Sequence, residues 1–316
     1  MTPSDDDLPN EGTDSEKMTS TPQRIAKVMA RAGLCSRRDA ERWINEGRVK
    51  VDGNKILSPA LTVTNANEIM VDGKALPKIE PTRLWRYNKP QDLVTTEKDE
   101  HGRPTVFEKL PSDMPRVLSV GRLDINSEGL LLLTNDGELK RQLELPVTGW
   151  IRTYRVRVRG RVDMERLGRL KDGITIEGVH YGSISVELER QQGSNAWLII
   201  SLQEGKNREI RRVMEHFDYP VNRLIRTKYG PFDLAGIGLG DLDEVTPGMV
   251  RKVMGKPHKG AKAKPKKKKP PRGKPFLNAR EKDTRLATKA TGKKPFAKKS
   301  TGKRPPLKKT ARKPAK

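Results

Sequence analysis

Residues 256–316 hold 25 of the chain's 65 lysines and arginines but only two acids, Glu281 and Asp283. A segment of net charge +23 dominated by Lys, Pro, Ala and Gly has too little apolar surface to offset the entropy of ordering it, so a disordered basic tail is expected. Whatever folds must come from the residues before it, which carry about +2 of the chain's +25. That part is nearly neutral, so any nucleic-acid surface on it has to be a local patch. Residues 1–21, acidic at Asp5, Asp6 and Asp7 and without hydrophobic period, are also expected to be disordered.

Several classes of protein are argued against at once. A lone cysteine, Cys35, forms no internal disulfide, and neither a CxxC pair nor a cluster of the four histidines offers zinc ligands. No apolar run reaches the ~18 residues of a membrane span, and the acidic start is unlike a basic signal peptide. A soluble, cytoplasmic, metal-free protein is expected.

Order begins near Arg24. Ile25, Val28, Met29 and Ala32 keep the spacing of a helix burying one stripe, with Gly33 just past its end. Ser36 with Asp39 three residues on has capping-box spacing for a second helix, whose apolar side is Ala40, Trp43 and Ile44. Val49 and Val51 then alternate with Arg48 and Lys50 before Asp52-Gly53, as in a half-buried strand entering a tight turn, and a second such strand ends at Val71-Asp72-Gly73. Arg24, Lys27 and Arg31 fall on one side of the first helix, and Arg37, Arg38, Arg48 and Lys50 lie close in sequence. Taken alone, such a stripe is more often a solvated face than an RNA surface.

After a linker at residues 78–82, a larger domain starts near Leu84. Tyr154, Val156 and Val158 share one strand parity and Arg155, Arg157 and Arg159 the other, and Trp197 to Leu202 is a second apolar run. Asp163 is placed to cap a helix carrying Met164, Leu167 and Leu170, and Ile210, Val213, Met214 and Phe217 mark another. Strands and helices in mixed order, with no βαβ rhythm and no glycine-rich phosphate loop, predict an α+β domain. The expected layout is residues 1–21 disordered, 22–80 and 84–252 folded, and 256–316 a tail.

The most specific segment is GRLDINSEGLLLLTNDGEL, Gly121 to Leu139. A loop holding Arg122 and Asp124 runs into four leucines, a buried element, and Thr134-Asn135-Asp136-Gly137 turns the chain. Asp124 seen alone is more commonly a turn or capping residue.

In its entirety the segment resembles the catalytic motif of a group of ribosomal RNA pseudouridine synthases, type A for the small ribosomal subunit with types B, E and F for the large one. In that group the aspartate of GRLD is the essential residue. Asn88-Lys89-Pro90 and Gly102-Arg103-Pro104-Thr105-Val106 resemble the opening of that domain, and Arg152 to Val156 the strand with the active-site tyrosine, here Tyr154. Gly205 to Arg212 resembles the third motif, and Leu224 to Thr227 with Gly230-Pro231-Phe232 the closing element. Arg24 to Gly53 resembles the S4-like RNA-binding domain. Within the family the GRPTVF segment and basic tail look most like the B type of large-subunit enzyme. One departure is Asp92, where the family often has glycine; aspartate tolerates left-handed backbone better than most residues.

The resemblance implies a mixed, mainly antiparallel sheet behind a small S4-like domain, and a cofactor-free isomerase acting as a monomer on ribosomal RNA. Asp124, ionised, would attack C1′ or take a proton at C2′, Tyr154 would stack on the extruded base, and Arg211, with Arg208 and Arg212 close by, would pair with Asp124 in a closed pocket. Arg122 would hold the space left by the base, and Leu224 and Lys89 would line the substrate. Two alternatives stay open: a small-subunit or transfer RNA substrate, and a non-catalytic ribosome-assembly factor.

Overall fold

The computed structural model describes residues 21–255, and the acidic N-terminus, save Thr21, and the basic tail lie outside them. The first folded unit is built as its spacing predicts. Helix α1 (Ile25–Arg31) buries Ile25, Ala26 and Met29. Helix α2 (Arg37–Asn45) starts where the Ser36 hydroxyl accepts from the Asp39 N–H at 3.1 Å, the capping contact that satisfies one of a helix's free donors. Strands β1 (Val49–Val51) and β2 (Ile69–Val71) pair antiparallel, with short Asn54–Lys55 and Lys74–Ala75 strands at their flanks. Both turn through an Asp-Gly pair at positive φ, Asp52-Gly53 and Asp72-Gly73.

Three of the basic residues expected at RNA are committed elsewhere. Lys27 pairs with Glu138. Arg31 donates to Glu80 O at 2.6 Å and stands 3.5 Å from Asp136 Oδ2. Both contacts face the second folded unit, which a helical wheel has no means of showing. Arg48 is tied twice to Asp72, at 2.9 and 2.5 Å, and lies over the Trp43 ring. Arg24, Arg37, Arg38 and Lys50 are exposed.

The larger unit is one nine-stranded sheet. In chain order its main elements are β3 (Leu84–Lys89), β4 (Leu118–Val120), β5 (Glu128–Thr134), α3 (Gly137–Glu144), β6 (Arg152–Arg159) and α4 (Met164–Gly168). There follow β7 (Ile184–Gln192), β8 (Asn195–Leu202), α5 (Glu209–His216), β9 (Val221–Tyr229), β10 (Leu242–Glu244) and α6 (Pro247–Met254). Their spatial order is β7-β8-β6-β9-β5-β3-β10, with β4 on β5 and Phe232–Asp233 on β9. Every pairing is antiparallel except β9 with β5, so the expected α+β fold with a mixed, mainly antiparallel sheet is what forms.

The run Leu130–Leu133 is buried on both sides of the sheet. Leu131 and Leu133 join Val156, Leu198, Leu167 of α4 and Val213 and Met214 of α5 in one core, whereas Leu130 and Leu132 join Leu139 and Leu143 of α3 and Val250 and Val253 of α6 in the other. A strand covered on both faces loses its period-two pattern. At its start, Gly129 sits at φ +96° where a Cβ would lie 2.4 Å from Arg226 O. Only glycine lets β9 come alongside in parallel there, and that approach brings Leu224 and Arg226 beside the loop that carries Asp124.

Candidate active site

Asp124 lies in the loop between β4 and β5, and every carbonyl from Leu123 to Ser127 has a donor. Thr95 Oγ1 donates to Leu123 O at 2.9 Å, and the Ser127 N–H to Asp124 O at 3.0 Å. The Asp92 N–H donates to Ile125 O at 2.9 Å, and Arg211 Nη2 to Asn126 O at 2.9 Å. Lys89 Nζ reaches Ser127 O at 3.0 Å, Asp124 O at 3.3 Å and Pro90 O at 2.9 Å. A loop satisfied this fully holds its side chain in one place before a ligand arrives, with little left to order on binding. Asp92 takes φ +64°, the left-handed backbone that the departure from glycine called into question.

The Asp124 carboxylate is one-third exposed, so the loop opens to solvent and does not form the closed pocket expected for it. Oδ2 faces two guanidiniums: Arg208 Nη1 at 3.4 Å and Arg211 Nε at 4.0 Å. Arg211 directs its remaining donors to the frame, with Nη1 on Val221 O at 3.1 Å as well as Nη2 on Asn126 O. Burial, and the neighbouring Arg208, push its pKa down, against the pull of Asp124. Arg208 holds a left-handed φ of +50° at the start of α5, a conformation uncommon outside glycine, asparagine and aspartate.

Tyr154 and Leu224 lie side by side on adjacent strands, Tyr154 opposite Arg226 and Leu224 opposite Val156. Both belong to the core that contains Leu123, so the aromatic ring, the leucine and the Asp124 loop share one side of the sheet. Arg122 is exposed, with no hydrogen bond or ion pair among the described residues. Lys89 is not where the resemblance puts it: it is fully buried beneath the loop, where it cannot touch a substrate, and burial pushes its pKa down to about 8. Its long side chain is drawn inside because the turning backbone of residues 124–127 presents several carbonyls to it at once.

A feature the motif did not suggest is Glu209, the first residue of α5. It is 4% exposed, and burial together with the adjoining Glu204 carboxyl pushes it up to about 7. Its Oε2 accepts from the Lys206 N–H at 2.8 Å, while Oε1 has no donor; a proton on Glu209 lets it donate to Glu204. Glu204 is itself held by Gly182 N–H at 2.7 Å and by Lys206. Among the described residues no three His, Cys, Asp or Glu side chains gather as metal ligands.

Exposed Arg24, Arg37, Arg38 and Lys50 on the small unit, and an anchored carboxylate beside two arginines on the larger one, are compatible with an enzyme that modifies RNA. Comparison with known proteins agrees. Residues 83–216 match the RNA pseudouridylate synthase family model and residues 23–69 the S4 domain. An RNA pseudouridine synthase of Rickettsia felis is 49% identical over 230 residues, 73% of this chain and 100% of that relative. Ribosomal large subunit pseudouridine synthase B of Pasteurella multocida is 39% identical over 245 residues, 74% of this chain and 71% of that one. A crystal structure of a pseudouridylate synthase superposes with a TM-score of 0.52 at 25% identity, covering 73% of this chain and 99% of that one. The chain belongs to the RNA pseudouridine synthase family.

Proposed function

We propose that the enzyme isomerises a uridine of large-subunit ribosomal RNA, with Asp124 as the catalytic residue. The carbonyl-by-carbonyl anchoring of the 123–127 loop carries this reading: a carboxylate whose backbone is fully satisfied, and which still meets solvent beside two arginines, is built to act on something that arrives from outside. The reaction breaks N1–C1′, turns the uracil and joins C5 to C1′; the C5 proton is lost and N1 ends protonated, with no net redox change. Attack on C1′ and removal of the C2′ proton both require Asp124 ionised and close to the ribose.

The target uridine must leave its stack, at a cost of a few kcal/mol. Tyr154 offsets part of this by stacking on the base, a contact worth about 1–3 kcal/mol. Leu224 forms the apolar wall beside it, Arg122 fills the space the base vacates, and Arg208 and Arg211 face the carboxylate at 3.4 and 4.0 Å. Residues 22–80 engage RNA through Arg24, Arg37, Arg38 and Lys50, residues 84–252 carry the chemistry, and the tail adds long-range attraction. The enzyme works as a monomer in the cytoplasm without a cofactor.

The similarity to the large-subunit pseudouridine synthase B of Pasteurella multocida supports the choice of large-subunit RNA. Mapping pseudouridines in ribosomal and transfer RNA from cells with and without this chain tests it. One large-subunit position should revert to uridine in the deletion. A lost position in small-subunit or transfer RNA instead would contradict the choice of substrate.

A further inference from the structure

The β7-β8-β6-β9 part of the sheet has two faces, and only one is accounted for. On β6, Tyr154, Val156 and Val158 are buried under α4 and α5, while Arg155, Arg157 and Arg159 alternate with them and point the other way. Directly opposed residues on neighbouring strands share a face. Arg157 is opposite Arg223 on β9 and Trp197 on β8, and Trp197 is opposite Arg190 on β7. Arg223, Arg157, Trp197 and Arg190 thus form one lateral row across four strands.

No element of the described residues covers this row. The helices α3 and α6 pack behind β5 and the loops next to it, and neither Trp197 nor Ile199 belongs to a core. Arg155 lies over the Trp197 ring at 4.1 Å and is held by Glu189 at 2.8 Å, and Arg223 is held by Glu128 at 2.7 Å. Arg157, Arg159 and Arg190 have no acidic partner among the described residues, and all three are exposed. Three exposed guanidiniums held on a rigid sheet beside an indole offer an anion donors already fixed in place.

Arg157 and Arg223 line a cleft of about 390 Å³ with Gln91, Glu128, Asn222 and Leu239. Gln91 precedes Asp92, whose N–H holds Ile125 O in the Asp124 loop. The cleft thus adjoins the backbone that supports the Asp124 loop, with Arg157 and Arg223 on the face opposite Tyr154 and Leu224.

We infer that this face is a second RNA-contact surface, on which Arg157, Arg159 and Arg190 take phosphates of the RNA flanking the modified uridine. The inference rests on the chain being an RNA-modifying enzyme, and on this face the three unpaired guanidiniums outnumber the unpaired carboxylate of Glu187, opposite Ile199, which suits a polyanion. Contacts of this kind position the duplex or strand and do not read sequence.

The test compares full-length wild type with a triple variant, Arg157→Gln, Arg159→Gln and Arg190→Gln. A control triple of equal charge change, Arg141→Gln, Arg251→Gln and Lys252→Gln, alters exposed residues of α3 and α6. Binding to a fluorescein-labelled RNA hairpin containing no uridine is followed by anisotropy across a salt series. The log–log slope should fall by about 2–3 in the first triple, at 0.7–0.9 for each phosphate no longer neutralised, and by less than about 1 in the control. Single-turnover pseudouridine formation at saturating RNA should be unchanged, as should Tm. Arg190→Glu alone, on the edge strand, should lower affinity more than Arg190→Gln, and ultraviolet crosslinking should attach RNA to the peptide containing Trp197.

A slope in the first triple equal to that of the control overturns the inference, even if the face then proves to bind a protein. The two readings fail separately. A wild type that makes pseudouridine while the slope is unmoved sinks the surface alone, whereas a falling slope in a protein that makes none leaves the surface standing and the catalytic reading refuted.

Discussion

Arg208 Nη1 stands closer to Asp124 Oδ2 than Arg211 Nε does, 3.4 Å against 4.0 Å, yet Arg211 is the more deeply enclosed, with 12% of its side chain exposed against 49%. Distance and burial therefore rank the two arginines differently. An exposed pair contributes ~0–1 kcal/mol, so Arg208→Ala should slow single-turnover modification by about tenfold or less, since each tenfold is ~1.4 kcal/mol of barrier. Arg211→Ala strips the donor from Asn126 O and Val221 O and frees the loop; a loss of about a hundredfold or more is expected. Arg211→Lys should rescue little, because an ammonium does not reproduce the fork that spans those carbonyls. Equal losses in the two alanine variants would show that pairing, and not support of the loop, is what matters.

Lys89, fully buried beneath the loop, is proposed as a positioning residue. Lys89→Met keeps the length of the side chain and removes the charge and the donors that tie Ser127 O, Asp124 O and Pro90 O. The turnover rate should fall by about tenfold or more while RNA affinity stays near wild type. A raised KM with unchanged kcat would return Lys89 to the substrate side.

Glu209 links stability to pH through the start of α5. Its carboxyl titrates at about 7 in the folded chain, well above the ~4.3 of an unperturbed glutamate. Between those values the native state holds a proton that the unfolded state has lost. The stability that Glu209 contributes is therefore full below about pH 4.3 and is lost as pH rises through about 7. Glu209→Gln mimics the protonated form, keeping the acceptor for Lys206 N–H and a donor toward Glu204. Its Tm relative to wild type should rise from pH 5 to pH 8, as measured by thermal unfolding in matched buffers. A difference that stays flat across that range would contradict the assignment.

Local signals in the sequence are legible where neighbouring residues decide the outcome. The Ser36 and Asp163 caps, the parity of β6 and the spacing of α5 all correspond to elements in the fold. What stays hidden depends on distant partners. Lys27 and Arg31 look like an RNA-facing stripe until Glu138 and Asp136, more than a hundred residues on, are brought against them. Lys89, beside a proline, carries no sign of its burial, which arises only when the 124–127 loop folds over it. The arginine parity of β6 is visible in the sequence, but its lateral continuation through Trp197 to Arg190 needs the register of three strands.

Asp124→Asn is the most direct test of the catalytic assignment, because it keeps the size of the side chain and the backbone ties of the loop while removing the charge. The purified variant, incubated with large-subunit ribosomal RNA from cells lacking this chain, should bind that RNA as wild type does and form no detectable pseudouridine. Measurable pseudouridine from the pure variant at the position modified by wild type would contradict it.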